Sequence, residues 1–181
     1  VIGSRANIYL SPYQKRIGPD PASMNSARIG GIISNNSSGM VCGVQNNAYH
    51  TLKHIRFILA NGHTYDTSIP DDYIRFVKNE AHFASGIIAC KRDIENRSTL
   101  TDKIRHKYRI KNTLGYSLNA FIEYEHPLDI FAHLMVGSEG TLGFLSEVTL
   151  HTIDDPTLKT MGMALFDSVG SSVAALPLLV D

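Results

Sequence analysis

Three glycine-rich stretches are the residues of this chain whose types and spacing suit chemistry. They are "GPDPAS" (18–23) leading to "GGIISNNSSG" (30–39), "KNTLGY" (111–116) and "GSEGTLG" (137–143). Glycine lets backbone N–H groups approach a ligand closely, and successive amides in turns form concave nests that suit phosphate oxygens. Asn36, Ser37 and Ser38 add amide and hydroxyl donors. None of the stretches is a P-loop, because no Gly-Lys-Ser/Thr follows, and none is the Gly-x-Gly-x-x-Gly dinucleotide fingerprint. Composition leaves two readings open: a phosphate or dinucleotide site, or a set of tight turns with a close strand crossing.

Other candidate chemistry is thinner. The eight histidines, His50, His54, His63, His82, His106, His126, His133 and His151, are scattered without a His-x-x-x-His pair, so each reads as a surface or half-buried residue and no metal is expected. Cys42 and Cys90 match no metal or redox spacing. The basic run "KIRHKYRIK" (103–111) lacks the aromatic platforms of a single-strand binder and reads as a solvated helix end. Seventeen basic residues balance seventeen acidic ones, which leaves no net field to attract nucleic acid. No apolar run reaches the roughly 18 residues of a membrane span. A cytoplasmic setting with reduced thiols follows, with peripheral attachment to the inner membrane as a variant.

The elements that must position these stretches read as a mixed fold. "NIYL" (7–10) suggests a short strand, followed by a loop punctuated by Pro12, Gly18, Pro19 and Pro21. "IGGIISNNSSGMVCG" (29–43) is too rich in glycine, serine and asparagine to suggest a helix. "LKHIRFILANGHTYDT" alternates apolar and polar residues around Asn61-Gly62, which predicts strands over about 52–60 and 63–67. Residues 71–106 read as helical, with Asp71 or Asp72 as cap, an apolar face of Ile74, Val77, Ala81, Ala84 and Ile88, and a second helix over about 93–106. "HPLDIFAHLM" predicts a short helix and "TLGFLSEVTLHTI" a strand. "KTMGMALFDSVGSSVAALPLLV" (159–180) reads as strand, turn and helix start, opening a second domain.

In this order, "IGPDPASMNSARIGGIISNNSSGMVCG", "NTLGYSLNA" and "VGSEGTLGFLSEVTL" resemble the FAD-binding domain of the vanillyl-alcohol-oxidase-type flavoproteins. Within them the chain is most similar to the D-lactate and D-2-hydroxyglutarate dehydrogenase branch that carries a C-terminal iron–sulfur region. The resemblance covers about residues 15–155. It implies an α+β fold, an antiparallel sheet flanked by helices, forming the larger subdomain of a PCMH-type FAD-binding domain truncated at both ends. Residues 1–156 would be that domain, without its first pyrophosphate-loop subdomain, and 157–181 the start of the substrate or cap domain. It also implies non-covalent FAD, with a 4Fe-4S cluster only in the parent protein.

The FAD contacts carried over are Pro21, Ala22, Ser23, Gly30, Gly31, Asn35, Asn36, Ser37, Gly39, Gly43, Glu139, Gly140 and the backbone of Val148. Lys111 and Asn112 are the substrate contacts, and Cys42 is a small buried residue beside the flavin rather than an attachment point. The parent activity implied is oxidation of a D-2-hydroxy acid by hydride transfer to flavin N5. The substrate would bind through the missing cap, so the catalytic base is unassigned and the isolated chain is expected to be inactive. An FAD-binding module without activity of its own is the alternative. If Gly31 and Gly39 sit under the cofactor, valine at either should empty the full-length protein of flavin and leave it folded.

Overall fold

The computed structural model describes residues 1–158, 160 and 162–179. The helices are α1 (Gly3–Leu10), α2 (Ile29–Ser34), α3 (Ala48–Thr51), α4 (Pro70–Asn79), α5 (Ala81–Glu95), α6 (Ser98–Lys107), α7 (Ala120–Glu123), α8 (Pro127–Met135) and α9 (Val169–Leu179). The strands are β1 (Lys15–Ile17), β2 (Leu52–Ile58), β3 (Thr64–Asp66), β4 (Phe144–Leu150) and β5 (Thr152–Asp154). They form two antiparallel sheets: β1 with β5, and a three-stranded sheet in the order β3-β2-β4. The fold is therefore mixed helix and sheet, with small antiparallel sheets.

The centre is an aromatic cluster between the larger sheet and the helices. Phe57 of β2 meets Phe131 of α8 with ring centroids 5.2 Å apart, and Tyr65 of β3 meets Phe76 of α4 at 5.0 Å. Every residue of α8 except Asp129 is buried, which is why its sequence is apolar nearly all round. Pro127 occupies its first turn, and His126 Nδ1 accepts the Leu128 N–H at 3.1 Å.

The hairpin forms where expected, but its loop is wider than a two-residue turn. Leu59 N donates to His63 O, and among the loop residues only Gly62 has a positive φ, 85°. A type I′ turn would need positive φ at both central positions, so the observed loop is the three-residue kind with glycine in the left-handed region.

Several expectations are corrected. Residues 7–10 are the end of α1, not a strand. There the Asn7 side chain accepts the Ile17 N–H at 2.9 Å, so it serves the neighbouring strand from a helix. Residues 29–34, expected to be non-helical, form α2, because Ile32 and Ile33 are wholly buried and tertiary packing overrides the glycine penalty. Residues 71–106 break at Glu80 and again at Asn96–Arg97, giving three helices. Ile74 and Val77 face outward, 73% and 43% exposed, while Phe76 is buried. Neither Asp71 nor Asp72 caps α4; Asp72 instead accepts the Asp66 N–H at 2.7 Å. His133, expected at or near the surface, is buried on α8.

The strand expected at the start of 159–180 is absent among the described residues. Lys159, Met161, Val180 and Asp181 lie outside them. The helix there, α9, leaves Val173 57% and Leu176 53% exposed.

Candidate functional site

The three glycine-rich stretches meet in space. The turn at 137–140 sits on the C-terminal end of α2: Gly137 N donates to Ile33 O at 3.0 Å and Glu139 N to Ser34 O at 2.8 Å. A Cβ on Gly137 would lie 3.4 Å from Asn36 Cβ, 3.8 Å from Ser117 Oγ and 3.9 Å from Gly115 O, so one residue touches the other two stretches. Lys111 Nζ donates to Ser38 O at 3.1 Å, and Tyr116 and Thr141 share a hydroxyl hydrogen bond of 2.9 Å. Asn36, Glu139 and Gly140 all adopt left-handed backbone, with φ of 45°, 54° and 77°.

The expected cofactor residues divide into two groups. Gly30, Gly31, Gly43 and Gly140 are exposed, and beyond any helix backbone nothing lies within 4 Å of a Cβ built on them. Ala22 and Ser23 are exposed in the turn after Pro21, and Asn35 is exposed with its amide donating to Ser37 Oγ at 2.9 Å. Val148 is half-buried on β4.

Asn36 and Gly39 belong to the protein's own framework. Asn36 Oδ1 accepts the Tyr49 N–H at 3.2 Å from a buried position. A Cβ on Gly39 would sit 1.9 Å from Asp20 O, so valine there would break the loop itself. Gly39→Val would therefore disturb this loop with or without a ligand on it, whereas the space at Gly31 is open. Of the expected substrate contacts, Asn112 donates to Leu114 O at 3.3 Å within its own loop, and Lys111 ties that loop to Ser38.

Beside these turns runs a groove of about 610 Å³ between α1, the start of α2 and the free edge of β4. Tyr9, Leu10, Ile17, Gly30, Ile33 and Val148 are among its lining. Gly30 and Val148, 118 positions apart in the chain, thus share one cleft. The sequence reading missed the contribution of α1, because it took residues 7–10 for a strand.

It also missed Asp20, although "PDP" was in view. Its carboxylate accepts the N–H groups of Gly39, Val41 and Cys42. Burial and the Asp20 side chain push the Cys42 thiol up, which favours the neutral form over a nucleophilic thiolate. His50 is exposed, with Nδ1 2.9 Å from Asn47 Oδ1. His133 lies with Nδ1 2.9 Å from Asp129 O and its ring stacked on Tyr124, centroids 3.9 Å apart. Burial lowers its pKa, which favours the neutral ring. Among the described residues no three His, Cys, Asp or Glu side chains are placed to share a metal ion, and no helix is long and apolar enough to cross a membrane.

Residues 1–68 match the family described as an FAD binding domain. The chain is 24% identical over 186 residues to a D-2-hydroxyglutarate dehydrogenase of Pantoea ananatis, and 24% over 184 residues to that of Escherichia coli. Both matches cover 100% of this chain and 18% of the relative, so the chain spans under a fifth of their length. The D-2-hydroxyglutarate dehydrogenase of Haemophilus influenzae is likewise 24% identical, over 99% of this chain and 18% of its own length. No solved structure matches significantly. The chain thus carries in residues 1–68 a match to an FAD binding domain, and along its length it is similar to one segment of D-2-hydroxyglutarate dehydrogenases.

Proposed function

We propose that this chain is the greater part of an FAD site in a flavin-dependent dehydrogenase acting on a D-2-hydroxy acid. The observation that carries it is the pair Gly30-Gly31 in the first turn of the six-residue α2. Glycine in a helix costs up to about 1 kcal/mol relative to alanine. No side chain or neighbouring backbone requires it here, since the space over both is open. The protein bears that cost and leaves bare backbone facing outward, which suits a planar or phosphorylated ligand lying directly on it.

Pro21, Ala22, Ser23, Gly30, Gly31, Asn35, Ser37 and Gly43 would hold FAD along one side, with Asn36 and Gly39 fixing the backbone of that loop. Glu139, Gly140 and Val148 would hold its adenosine end beside the groove. Held non-covalently by these residues, FAD would supply at N5 the acceptor for the substrate's α-hydrogen as hydride. The chain's own residues provide position and exclude water: the apolar wall of Tyr9, Leu10 and Ile33 lines the groove, and Lys111 holds the 111–116 loop against the 35–43 loop.

Residues 1–156 form the flavin-binding part in this reading. Residues 157–181 open a following domain that completes the substrate site, in keeping with the exposed apolar side chains of α9.

The test is titration of the purified chain with FAD, followed by quenching of flavin fluorescence. Saturable quenching is expected. A folded chain that leaves flavin fluorescence unchanged at high protein concentration would refute the claim that these loops form the greater part of the site.

A further inference from the structure

We propose that Asp20 is a positioning residue, an internal anion that fills an amide nest and so sets the loop on which the cofactor lies. This rests on the FAD reading above. Oδ1 of Asp20 accepts the N–H of Gly39 at 3.0 Å and of Cys42 at 3.2 Å, and Oδ2 accepts that of Val41 at 3.2 Å. Backbone amides converging on one carboxylate form the concavity that elsewhere receives phosphate oxygens. Here the chain supplies the anion itself, through charge-assisted hydrogen bonds stronger than neutral ones.

The approach is built into both segments. A Cβ on Gly39 would lie 1.9 Å from Asp20 O and 2.5 Å from Oδ1, so only glycine lets the two backbones come this close. Asp20 stands between Pro19, which is fully buried, and Pro21, and the two rings restrict the backbone that carries the carboxylate.

The consequence is a division of labour along 35–43. The amides of Gly39, Val41 and Cys42 are already taken and do not serve the cofactor phosphates. They anchor the loop instead. On one side of the anchor Asn35 and Ser37 are held against α2, and on the other Gly43 is held in its left-handed conformation, φ 56°. Met40, fully exposed, and Val41, 69% exposed, form a tip held away from the core although both are apolar. The carboxylate overcomes what the hydrophobic effect alone would do with that tip.

The experiment compares the unaltered full chain with Asp20→Ala and the near-isosteric Asp20→Asn. It reads FAD affinity, thermal midpoint and hydrogen exchange of peptides spanning 37–43, each with sodium formate or with chloride at equal ionic strength. For Asp20→Ala the expected results are FAD binding weakened by about tenfold or more, a midpoint lowered by the loss of these bonds in a chain that still folds, and faster exchange at 39–42. Formate, a free carboxylate small enough for the emptied nest, should restore both affinity and protection where chloride does not. Asp20→Asn should fall between, because it keeps an acceptor oxygen but turns an amide group toward an N–H.

Full FAD affinity in Asp20→Ala, or formate without effect on exchange, would overturn the proposal. If the unaltered chain does not bind FAD, the flavin reading falls by itself. Exchange then still decides the anchor: formate-reversible opening upholds it, and unchanged protection overturns it.

Discussion

Replacing Gly31 by alanine should move folding stability and cofactor affinity in opposite directions. Gly31 is exposed in α2, and beyond the helix backbone nothing lies within 4 Å of the added Cβ. The folded chain therefore meets no clash and gains the helix propensity of alanine, up to about 1 kcal/mol in this first helical turn. For a chain of this size that raises the thermal midpoint by up to roughly 2–4 °C. If FAD lies on this backbone, the same methyl group intrudes on it. Overpacking by one carbon costs about 1–3 kcal/mol, which weakens FAD binding roughly 5- to 140-fold. Gly86 of α5 is the control, since it too is exposed with open space over its Cα. Gly86→Ala should raise the midpoint by a similar amount and leave FAD binding unchanged. Circular dichroism melting of the ligand-free chains and fluorescence titration with FAD make the comparison. Wild-type FAD affinity in Gly31→Ala would refute the site. A lowered midpoint in the ligand-free variant would refute the argument that the protein itself has no need of that glycine.

Two further outcomes test the fold. Phe57→Ala removes a ring with no exposed surface, packed against Phe131 and Tyr65, and should cost about 3–5 kcal/mol in urea unfolding. A loss under about 1 kcal/mol would mean that the aromatic cluster is not the core. Burial alone would raise the Glu80 carboxyl, but hydrogen bonds from His63, Tyr65 and Asn61 outweigh it and hold the group below its ordinary value of 4.5. A carboxyl depressed in the folded state contributes stability that is present above the unfolded value and lost as pH falls through the folded one. The acid limb of stability below about pH 4.5 should therefore be shallower in Glu80→Gln; an identical limb in a denaturation series from pH 6 to 3 would sink the assignment.

Much of the fold was legible in the residues. The hairpin over 52–66 and the short helix α8 follow from alternation, Asn61-Gly62 and an apolar run behind a proline, all local signals. The failures were also local in origin. Residues 7–10 and 29–34 carry weak or contrary propensities, and both became helix because Ile32, Ile33 and the contact between Asn7 and Ile17 reward that geometry. The face of α4 was misassigned because Ile74 and Val77 fit a helical period as well as Phe76 does, and only the position of α8 decides which is covered.

The sequence by itself determined which segments are rich in glycine, where the hairpin turns and that a short helix follows Pro127, because these depend on each residue's own preferences and on the period of apolar side chains. The tertiary structure alone decided what each glycine is for. Gly39 admits Asp20, Gly62 and Gly137 take left-handed backbone where the chain turns, and Gly30 and Gly31 leave open space that no described residue outside the helix backbone fills. No local rule separates these cases, since a missing side chain says only that space was kept clear. What occupies that space is fixed by residues brought together from far along the chain.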